Sequence, residues 1–189
     1  MTTSKEPPAA GLVAAFVNTL DREEGRDELA TPAELAAWFR GRGLLAAEVA
    51  TSAADVKRAA GLREGLRELL LVNNGAGQVD RDLSALNRYA DEACARFQLR
   101  FEGPDFALRP LAAGFDAALA QILLGVGQAV ADGSWVRLKA CADEACQYVF
   151  FDQSRNRAGH WCSMRSCGNR AKARQFRARR RAQAAAPSR

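Results

Sequence analysis

The sequence predicts a mainly α-helical protein: a helical N-terminal domain with one short β-hairpin, followed by a small treble-clef-like zinc finger of two short strands and a basic helix. Three observations support this fold class. Apolar residues recur at helical spacing in five segments, four cysteines form two equally spaced pairs near the C-terminus, and a run of arginines follows the second pair.

Length and composition fit one larger domain and one small module. The chain has 189 residues, of which 48% are hydrophobic, which is enough to bury a sizeable core. It lacks an uninterrupted apolar run of about 18 residues, and its start, MTTSKEPPAAG, has no export signal. We therefore expect a cytoplasmic protein without a membrane contact. The predicted division is a flexible N-terminus at 1–11, a helical domain at 12–133, the finger with its basic helix at 134–181 and a disordered tail at 182–189.

The first three helices are predicted from apolar periodicity and capping residues. Leu12 to Leu20 form the first apolar stripe, and the segment TPAE at 31–34 offers a cap, a proline for the first helical position and a capping-box glutamate. GRG at 41–43 ends this second helix. A third helix covers about 53–72, with a row of leucines on one face, and NNGAG at 73–77 is a turn signal.

The remaining body is predicted as a helix, a hairpin and a helix. The fourth helix covers 83–97 and includes Cys94 as a small buried apolar residue. The segment QLRFEGPDFALRPL at 98–111 alternates around Gly103-Pro104 as a short hairpin does, and a fifth helix runs from 114 to 131.

The helical segments show no catalytic constellation. HExxH, phosphate-binding loops, nucleophile elbows and dinucleotide fingerprints do not occur before residue 134, and the single histidine of the chain, His160, lies beyond it. We therefore expect a protein that is not an enzyme. Asn18 and Thr19 stand out inside the apolar first helix. They either contact a ligand or, as we expect, form turn and core hydrogen bonds.

Charge is distributed unevenly between the two parts. Residues 1–134 contain 14 Lys and Arg and 19 Asp and Glu, a net −5, whereas residues 135–189 contain 13 and 3, a net +10. An acidic body that carries a basic module is typical of proteins that bind a polyanion.

Four of the five cysteines predict a structural zinc site. Cys141 and Cys146 have four residues between them, as do Cys162 and Cys167, and fifteen residues separate the pairs. Two thiolates from each pair fill the corners of a tetrahedral Zn²⁺ site and leave no position open for water. An iron–sulfur cluster or free buried thiols are the rival interpretations. His160, two residues before Cys162, is a competing ligand, although we expect four thiolates and a packing or hydrogen-bonding role for the imidazole.

The residues around the cysteines predict two strands and a basic helix. SWVRLKA and QYVFFD flank the first pair with strand formers, and the segment after Cys162 becomes helical with Ser163 as a candidate cap. Four arginines of that helix fall within an arc of about 60°: Arg170, Arg174, Arg177 and Arg181. The further candidate contacts to nucleic acid are Arg155, Arg157, Asn169, Lys172, Arg179 and Arg180. A solvated basic helix without a partner is the alternative.

The same segment resembles a known family. CGNR at 167–170, preceded by HWC and FFDQSRNR and followed by AKARQFRARRR, is similar to the CGNR zinc finger of bacterial proteins. The upstream segments FVNTLD, LATPAELAAWF and 62–71 look like the ABATE helical domain that usually precedes that finger. The resemblance implies zinc ligation by the four paired cysteines. It also implies a stress-related transcription regulator that binds DNA through the finger.

The CGNR residues have two interpretations each. Gly168 would allow a close approach of the backbone beside the metal. Asn169 would bind either a knuckle carbonyl or a base, and Arg170 would have either a structural role or a phosphate contact.

Our leading hypothesis is a zinc-dependent regulator that binds duplex DNA, with a helical domain that senses a small-molecule effector or mediates association, including formation of a homodimer. RNA binding is the second hypothesis, because arginine-rich helices suit RNA equally well. A finger that docks an acidic protein partner is the third.

Overall fold

The structure, a computed structural model of the chain, describes residues 6–75, 84–92, 97–102 and 105–185. Its elements are α1 (Pro8–Val17), β1 (Leu20–Asp21), β2 (Arg26–Asp27), α2 (Pro32–Arg40), α3 (Ala53–Asn73), α4 (Ser84–Glu92), β3 (Phe97–Glu102), β4 (Asp105–Pro110), α5 (Gly114–Ala131), β5 (Leu138–Ala140), β6 (Val149–Phe151) and α6 (Asn169–Ala185). The strands form three separate antiparallel pairs, β1 with β2, β3 with β4 and β5 with β6. The predicted fold class, mainly helical with a small finger, is therefore confirmed.

Local capping signals account for the helices that match the prediction. Thr31 Oγ1 accepts a hydrogen bond from the amide of Glu34 at 3.2 Å and begins α2. Ser52 and Asp55 form a reciprocal capping box at the start of α3. The bounds of α5 are those predicted. These signals act within one turn, which is why the sequence alone could place the helices.

The first and fourth helices differ from the prediction. α1 begins at Pro8 rather than Leu12, because proline suits the first helical position and the alanines that follow favour a helix. α4 spans Ser84–Glu92, and Phe97, predicted as the end of this helix, is the first residue of β3. Cys94 lies outside the described residues.

The hairpin of β3 and β4 confirms the prediction from alternation. Its register pairs Phe97 with Pro110 and Glu102 with Asp105. The predicted turn at Gly103-Pro104 lies outside the described residues.

The core lies between α1, α2, α3 and α5. Phe39 is fully buried and meets Phe16, Trp38 and Phe115 edge to face, with ring centroids 6.1, 4.9 and 5.2 Å apart. Such aromatic pairs add to the burial of apolar area. In the described part of the chain, α5 has the length and composition of a membrane span, but helices in protein cores share those properties, and α5 packs against α1.

The hairpin of β1 and β2 is a feature that sequence reasoning missed. It is only two residues long on each side, and Gly25, with φ of +67°, lies in its turn. Arg63 of α3 donates to both carboxylate oxygens of Asp27 at 2.7 and 2.9 Å and so fixes the base of the hairpin. Strands this short leave no periodicity to detect.

The two strands of the finger pack against the helical body. Leu138, Ala140, Val149 and Phe151 are buried in the same cluster as the core of the helices. Only Leu138–Ala140 of SWVRLKA is a strand, because Trp135–Arg137 forms a 3₁₀ turn. The sequence-based division at 133/134 stays a prediction.

Candidate metal centre and basic helix

The first cysteine pair lies at the tip of the β5–β6 hairpin. Cys141 directly follows β5, and its amide donates to the carbonyl oxygen of Tyr148 at 2.9 Å. The carbonyl oxygen of Asp143 accepts from the amides of Cys146 and Gln147 at 2.9 and 3.0 Å, which folds the four intervening residues into a compact turn. This turn is the first knuckle, residues 141–146, and its two ligand residues are buried.

The second knuckle, residues 162–167, leads into the basic helix. Ser163 accepts from the amide of Ser166 at 3.4 Å, so it caps one wide turn, Met164–Gly168, that passes directly into α6. Cys167 is buried in this turn. The prediction that Ser163 begins the helical segment and that Cys167 lies in its early turns is therefore confirmed.

The four sulfur atoms have the spacing of a tetrahedral zinc site. The Sγ atoms of Cys141, Cys146, Cys162 and Cys167 all lie within 4.8 Å of one another. Two of the separations, Cys146 to Cys162 and Cys162 to Cys167, are 3.7 Å. A regular tetrahedron with Zn–S bonds of about 2.3 Å has edges of about 3.8 Å. The spacing of the cluster is therefore consistent with a structural Zn²⁺ ion.

The protonation chemistry of the thiols also calls for a cation. Burial raises the pKa of Cys146 to about 11, and burial likewise raises the pKa of Cys162. At these two positions thiolates would not persist at neutral pH without positive charge, whereas hydrogen bonds from neighbouring groups lower the pKa of Cys167. A zinc ion supplies positive charge as the protons leave.

His160 is not one of the ligands in this arrangement. Its Nδ1 atom lies 2.8 Å from Oδ1 of Asn74, and its carbonyl oxygen accepts from Nδ2 of the same side chain at 2.8 Å. Asn74 Nδ2 also donates to Ala140 at 2.7 Å. The histidine therefore ties the segment before Cys162 to the end of α3, in agreement with the hydrogen-bonding role expected from the sequence.

Of the two polar residues after α1, Asn18 holds the β5–β6 hairpin and Thr19 bonds within the body. Asn18 pairs with both backbone groups of Val149, donating at 2.9 Å and accepting at 2.7 Å, as a neighbouring strand would. Thr19 Oγ1 donates to the carbonyl oxygen of Phe16 at 2.8 Å. The two polar residues of FVNTLD thus form turn and core hydrogen bonds.

Arg67 of α3 supports the first knuckle through a hydrogen bond to the backbone directly after it. It is 1% exposed and donates to the carbonyl oxygens of Gln147, Val17 and Leu20 at 2.8, 2.6 and 3.2 Å. Sequence reasoning missed Arg67 and Arg63. A signal was present, because both arginines fall at helical spacing within the leucine stripe of α3.

Arg170 and Arg174 at the start of α6 contact the buried carboxylate of Asp143. Asp143 of the first knuckle is 3% exposed, and its carboxylate binds Nε of Arg170 at 3.1 Å and Nη2 of Arg174 at 3.5 Å. Nη2 of Arg170 also lies 3.0 Å from Sγ of Cys167, as a donor to a thiolate ligand would. Glu23, in the turn between β1 and β2, forms a two-pronged ion pair with the same guanidinium.

The pKa values of Glu23 and Arg170 shift in the directions expected for an ion pair. The hydrogen bond from Arg170 lowers the pKa of Glu23, and the hydrogen bonds to Glu23 and Cys167 raise the pKa of Arg170. Arg170 thus makes the contacts that the structural interpretation requires, and its phosphate contact stays a prediction.

The other residues of the CGNR segment have local roles. Asn169 Nδ2 donates to the carbonyl oxygen of Arg165 at 3.1 Å, which is a contact to the second knuckle. A Cβ atom at Gly168 would lie 2.8 Å from Sδ of Met164 and 3.3 Å from Cδ1 of Trp161. The glycine therefore makes room for the side chains of Met164 and Trp161, and Trp161 packs against the cysteine cluster.

The outer part of α6 extends into solvent. Every side chain described from Lys172 to Arg181 is exposed, including Phe176 at 62%. The helix, residues 169–185, contains seven Lys and Arg and no acidic residue. The outer basic set, which we define as the members beyond the acidic contacts, is Lys172, Arg177, Arg179, Arg180 and Arg181.

A buried ion pair shapes the loop that contains Arg155 and Arg157. Lys139 and Asp152 are each 3% exposed, and Nζ to Oδ2 measures 2.8 Å. Lys139 also donates to the carbonyl oxygens of Arg157 and Gly159 at 2.5 and 3.1 Å. Both arginine side chains of this loop, residues 153–159, are exposed.

A helical body whose β-hairpin and basic helix bring four cysteines into a tetrahedral site defines a zinc-finger protein. Comparison with known families agrees, because the sequence pattern of the CGNR zinc finger matches residues 137–180. The chain belongs to the ABATE family, described as "putative stress-induced transcription regulator", whose pattern matches residues 10–149. No curated protein sequence matches the chain.

The two family patterns overlap at residues 137–149, and the structure gives a physical reason. This overlap contains β5, the first knuckle and the start of β6, which are bound by Arg67, Asn18 and Asn74 of the body. The same residues hold two zinc ligands and complete the core of the helices.

Proposed function

We propose that the chain is a non-enzymatic, zinc-dependent transcription regulator that binds duplex DNA through α6 and the loop at 153–159. The observation that carries this proposal is the outer half of α6. It is a helix anchored at a metal centre, exposed on all sides, and rich in arginine without any acid. A cytoplasmic location with access to the nucleoid is part of the proposal.

The physics of α6 favours a polyanionic partner. Like charges three and four residues apart repel one another along a helix, so Arg177 and Arg181 destabilise α6 in the free protein. A phosphate backbone placed beside them removes this repulsion and releases counterions. Guanidinium groups also match phosphate oxygens in geometry. A helix of 17 residues, about 25 Å long, has the dimensions to lie in a major groove.

The contacts of the finger divide the predicted DNA-binding residues into two groups. Arg170 and Arg174 contact Asp143, and Asn169 binds a backbone carbonyl of the second knuckle. These three side chains therefore already have partners in the protein when no DNA is bound. We assign the main phosphate contacts to the outer basic set, together with Arg155 and Arg157 of the loop.

The helical body has a separate part in the proposal. We assign it the sensing of a small molecule or the association of two chains, because a single finger has a small footprint on DNA. The open cavities between body and finger support the first role. One of about 460 Å³ is lined by Leu71, Asn74, His160 and Trp161, among others.

The test is fluorescence anisotropy with labelled duplex DNA at low salt, using zinc-loaded protein, chelated protein and the variant R177A/R179A/R181A. The matched control is R26A/R88A/R100A, which removes the same charge from exposed arginines of the body. We expect tight binding by the wild type and the control, and weaker binding by the chelated protein and by R177A/R179A/R181A. A competition with structured RNA decides which nucleic acid is preferred. Absence of binding by the wild type at low salt would overturn the proposal, and recovery of an acidic protein partner would then favour the docking function.

A further inference from the structure

The guanidinium of Arg170 lies where the body, the zinc centre and the basic helix meet. It has three partners: the buried carboxylate of Asp143, the sulfur of Cys167 and the carboxylate of Glu23. The first two belong to the finger itself. Glu23 is separated from Arg170 by 147 positions and reaches it from the β1–β2 turn.

Asp143 and Glu23 differ in how easily they could leave Arg170. Asp143 is part of the first knuckle, where its backbone carbonyl shapes the metal site and its side chain is 4% exposed. The side chain of Glu23 is 47% exposed and meets an arginine side chain that is 39% exposed. Exposed ion pairs are weak, so the contact to Glu23 is the one that a competitor can displace.

The geometry of the contact between Glu23 and Arg170 indicates which kind of group can displace Glu23. Nη1 and Nη2 of Arg170 each contact one of the two carboxylate oxygens of Glu23. A phosphate group accepts the same two parallel hydrogen bonds from an arginine. The carboxylate of Glu23 has the negative charge of a phosphate, and it lies at the start of the basic helix, where we propose that nucleic acid binds.

The body holds Glu23 in this place through a short series of contacts. The carboxylate of Asp21 accepts from the amides of Glu23 and Glu24 at 2.9 Å each, which shapes the turn. Asp27 at the other end of the hairpin is held by Arg63 of α3. The acidic turn is therefore fixed to the core of the body, and Glu23 extends from it to the finger.

We infer that Glu23 occupies the position of a nucleic-acid phosphate on Arg170, and that bound nucleic acid displaces it. This inference rests on the proposed function and adds regulation to it. The body competes with nucleic acid for the first arginine of the helix. A change that moves the β1–β2 hairpin away from the finger raises the affinity of the finger, and nucleic acid that takes Arg170 frees the hairpin.

The test compares Glu23→Gln with Glu24→Gln in the full zinc-loaded chain, by anisotropy with labelled duplex DNA at low salt. The two substitutions remove the same charge from neighbouring positions of one turn. Among the described residues, the carboxylates that pair with Arg170 are those of Glu23 and Asp143, so Glu24→Gln is the matched control. Zinc content and thermal unfolding of each variant confirm that the fold is retained.

We expect Glu23→Gln to bind about two- to fivefold more tightly than Glu24→Gln, as the strength of an exposed ion pair implies. In an Arg170→Ala background the two glutamine variants should bind alike. Equal affinities with Arg170 present, or weaker binding by Glu23→Gln, would overturn the inference while DNA binding stands. Failure of the wild type and of both variants to bind would instead overturn the proposed function, and the inference with it.

Discussion

The side chain of Arg67 in α3 donates a hydrogen bond of 2.8 Å to the carbonyl oxygen of Gln147, the residue that directly follows the zinc ligand Cys146. The same guanidinium binds the carbonyl oxygens of Val17 and Leu20. One buried cation thus connects the end of α1, the β1–β2 hairpin and the first knuckle. The helical body forms part of the metal site, because it fixes the backbone from which a ligand projects.

The first prediction concerns the stability of this connection. Arg67→Met keeps an aliphatic chain of similar length but leaves the carbonyl oxygens of Val17, Leu20 and Gln147, the first of them buried, without this donor. We expect it to lower the free energy of unfolding by about 3 kcal/mol. Denaturant unfolding in the presence of zinc measures the effect. Lys57→Met, an exposed position on the same helix, is the control and should change stability little. Equal effects of the two substitutions would contradict the role of Arg67.

The second prediction concerns the metal. We expect one zinc ion per chain by native mass spectrometry, and its loss from Cys162→Ser but not from His160→Ala, because the imidazole binds Asn74. Chelation should lower the melting temperature of the whole protein, since β5 and β6 belong to the core of the body. Retention of zinc by Cys162→Ser, or its loss from His160→Ala, would assign a ligand position to the histidine.

The parts of the fold that the sequence predicted are those encoded by neighbouring residues. The caps at Thr31 and Ser52 act within one turn, and the cysteine spacing encodes the knuckles directly. The hairpin at 97–110 follows from alternation on both sides of a turn. In each case the interacting groups lie close in sequence, so a pattern in one short window carries the information.

The polar contacts between body and finger could not be predicted in this way. Arg67 and Gln147 are 80 positions apart, Asn18 and Val149 are 131 apart, and Glu23 and Arg170 are 147 apart. Nothing in the local sequence of either partner specifies the other. Their pairing depends on how the helices place the β5–β6 hairpin, which is a property of the assembled core.

The third prediction concerns the buried pair of Lys139 and Asp152. Lys139→Met should lower the free energy of unfolding by about 3 kcal/mol, because it leaves a buried carboxylate without its cation. Asp152→Asn should cost a similar amount for the converse reason. The double variant should cost less than the two effects added, since neither charge then remains unpaired. A double-mutant cycle by denaturant unfolding measures this coupling, and strict additivity would show that the two side chains act independently.

The last prediction uses salt to count the phosphate contacts. The outer basic set has five positive charges, and Arg155 and Arg157 of the loop bring the proposed phosphate contacts to seven. If each neutralises one phosphate, the logarithm of the affinity for duplex DNA should fall with the logarithm of salt concentration with a slope of about −6.

Each arginine removed from this set should make the slope shallower by about 0.9. The variant R177A/R179A/R181A is therefore expected to have a slope of about −3 to −4, measured by anisotropy titrations from low to physiological salt.

The single variant Arg170→Ala tests whether Arg170 contributes to the salt dependence in the same way as the outer basic set. Its guanidinium already pairs with Glu23 and Asp143, so binding of DNA there exchanges one anion for another and releases fewer counterions. Loss of Arg170 should therefore change the slope by less than loss of Arg177, which has no acidic neighbour within α6. Equal changes in slope for the two single variants would show that the contacts to Glu23 and Asp143 do not distinguish Arg170 from the outer basic set.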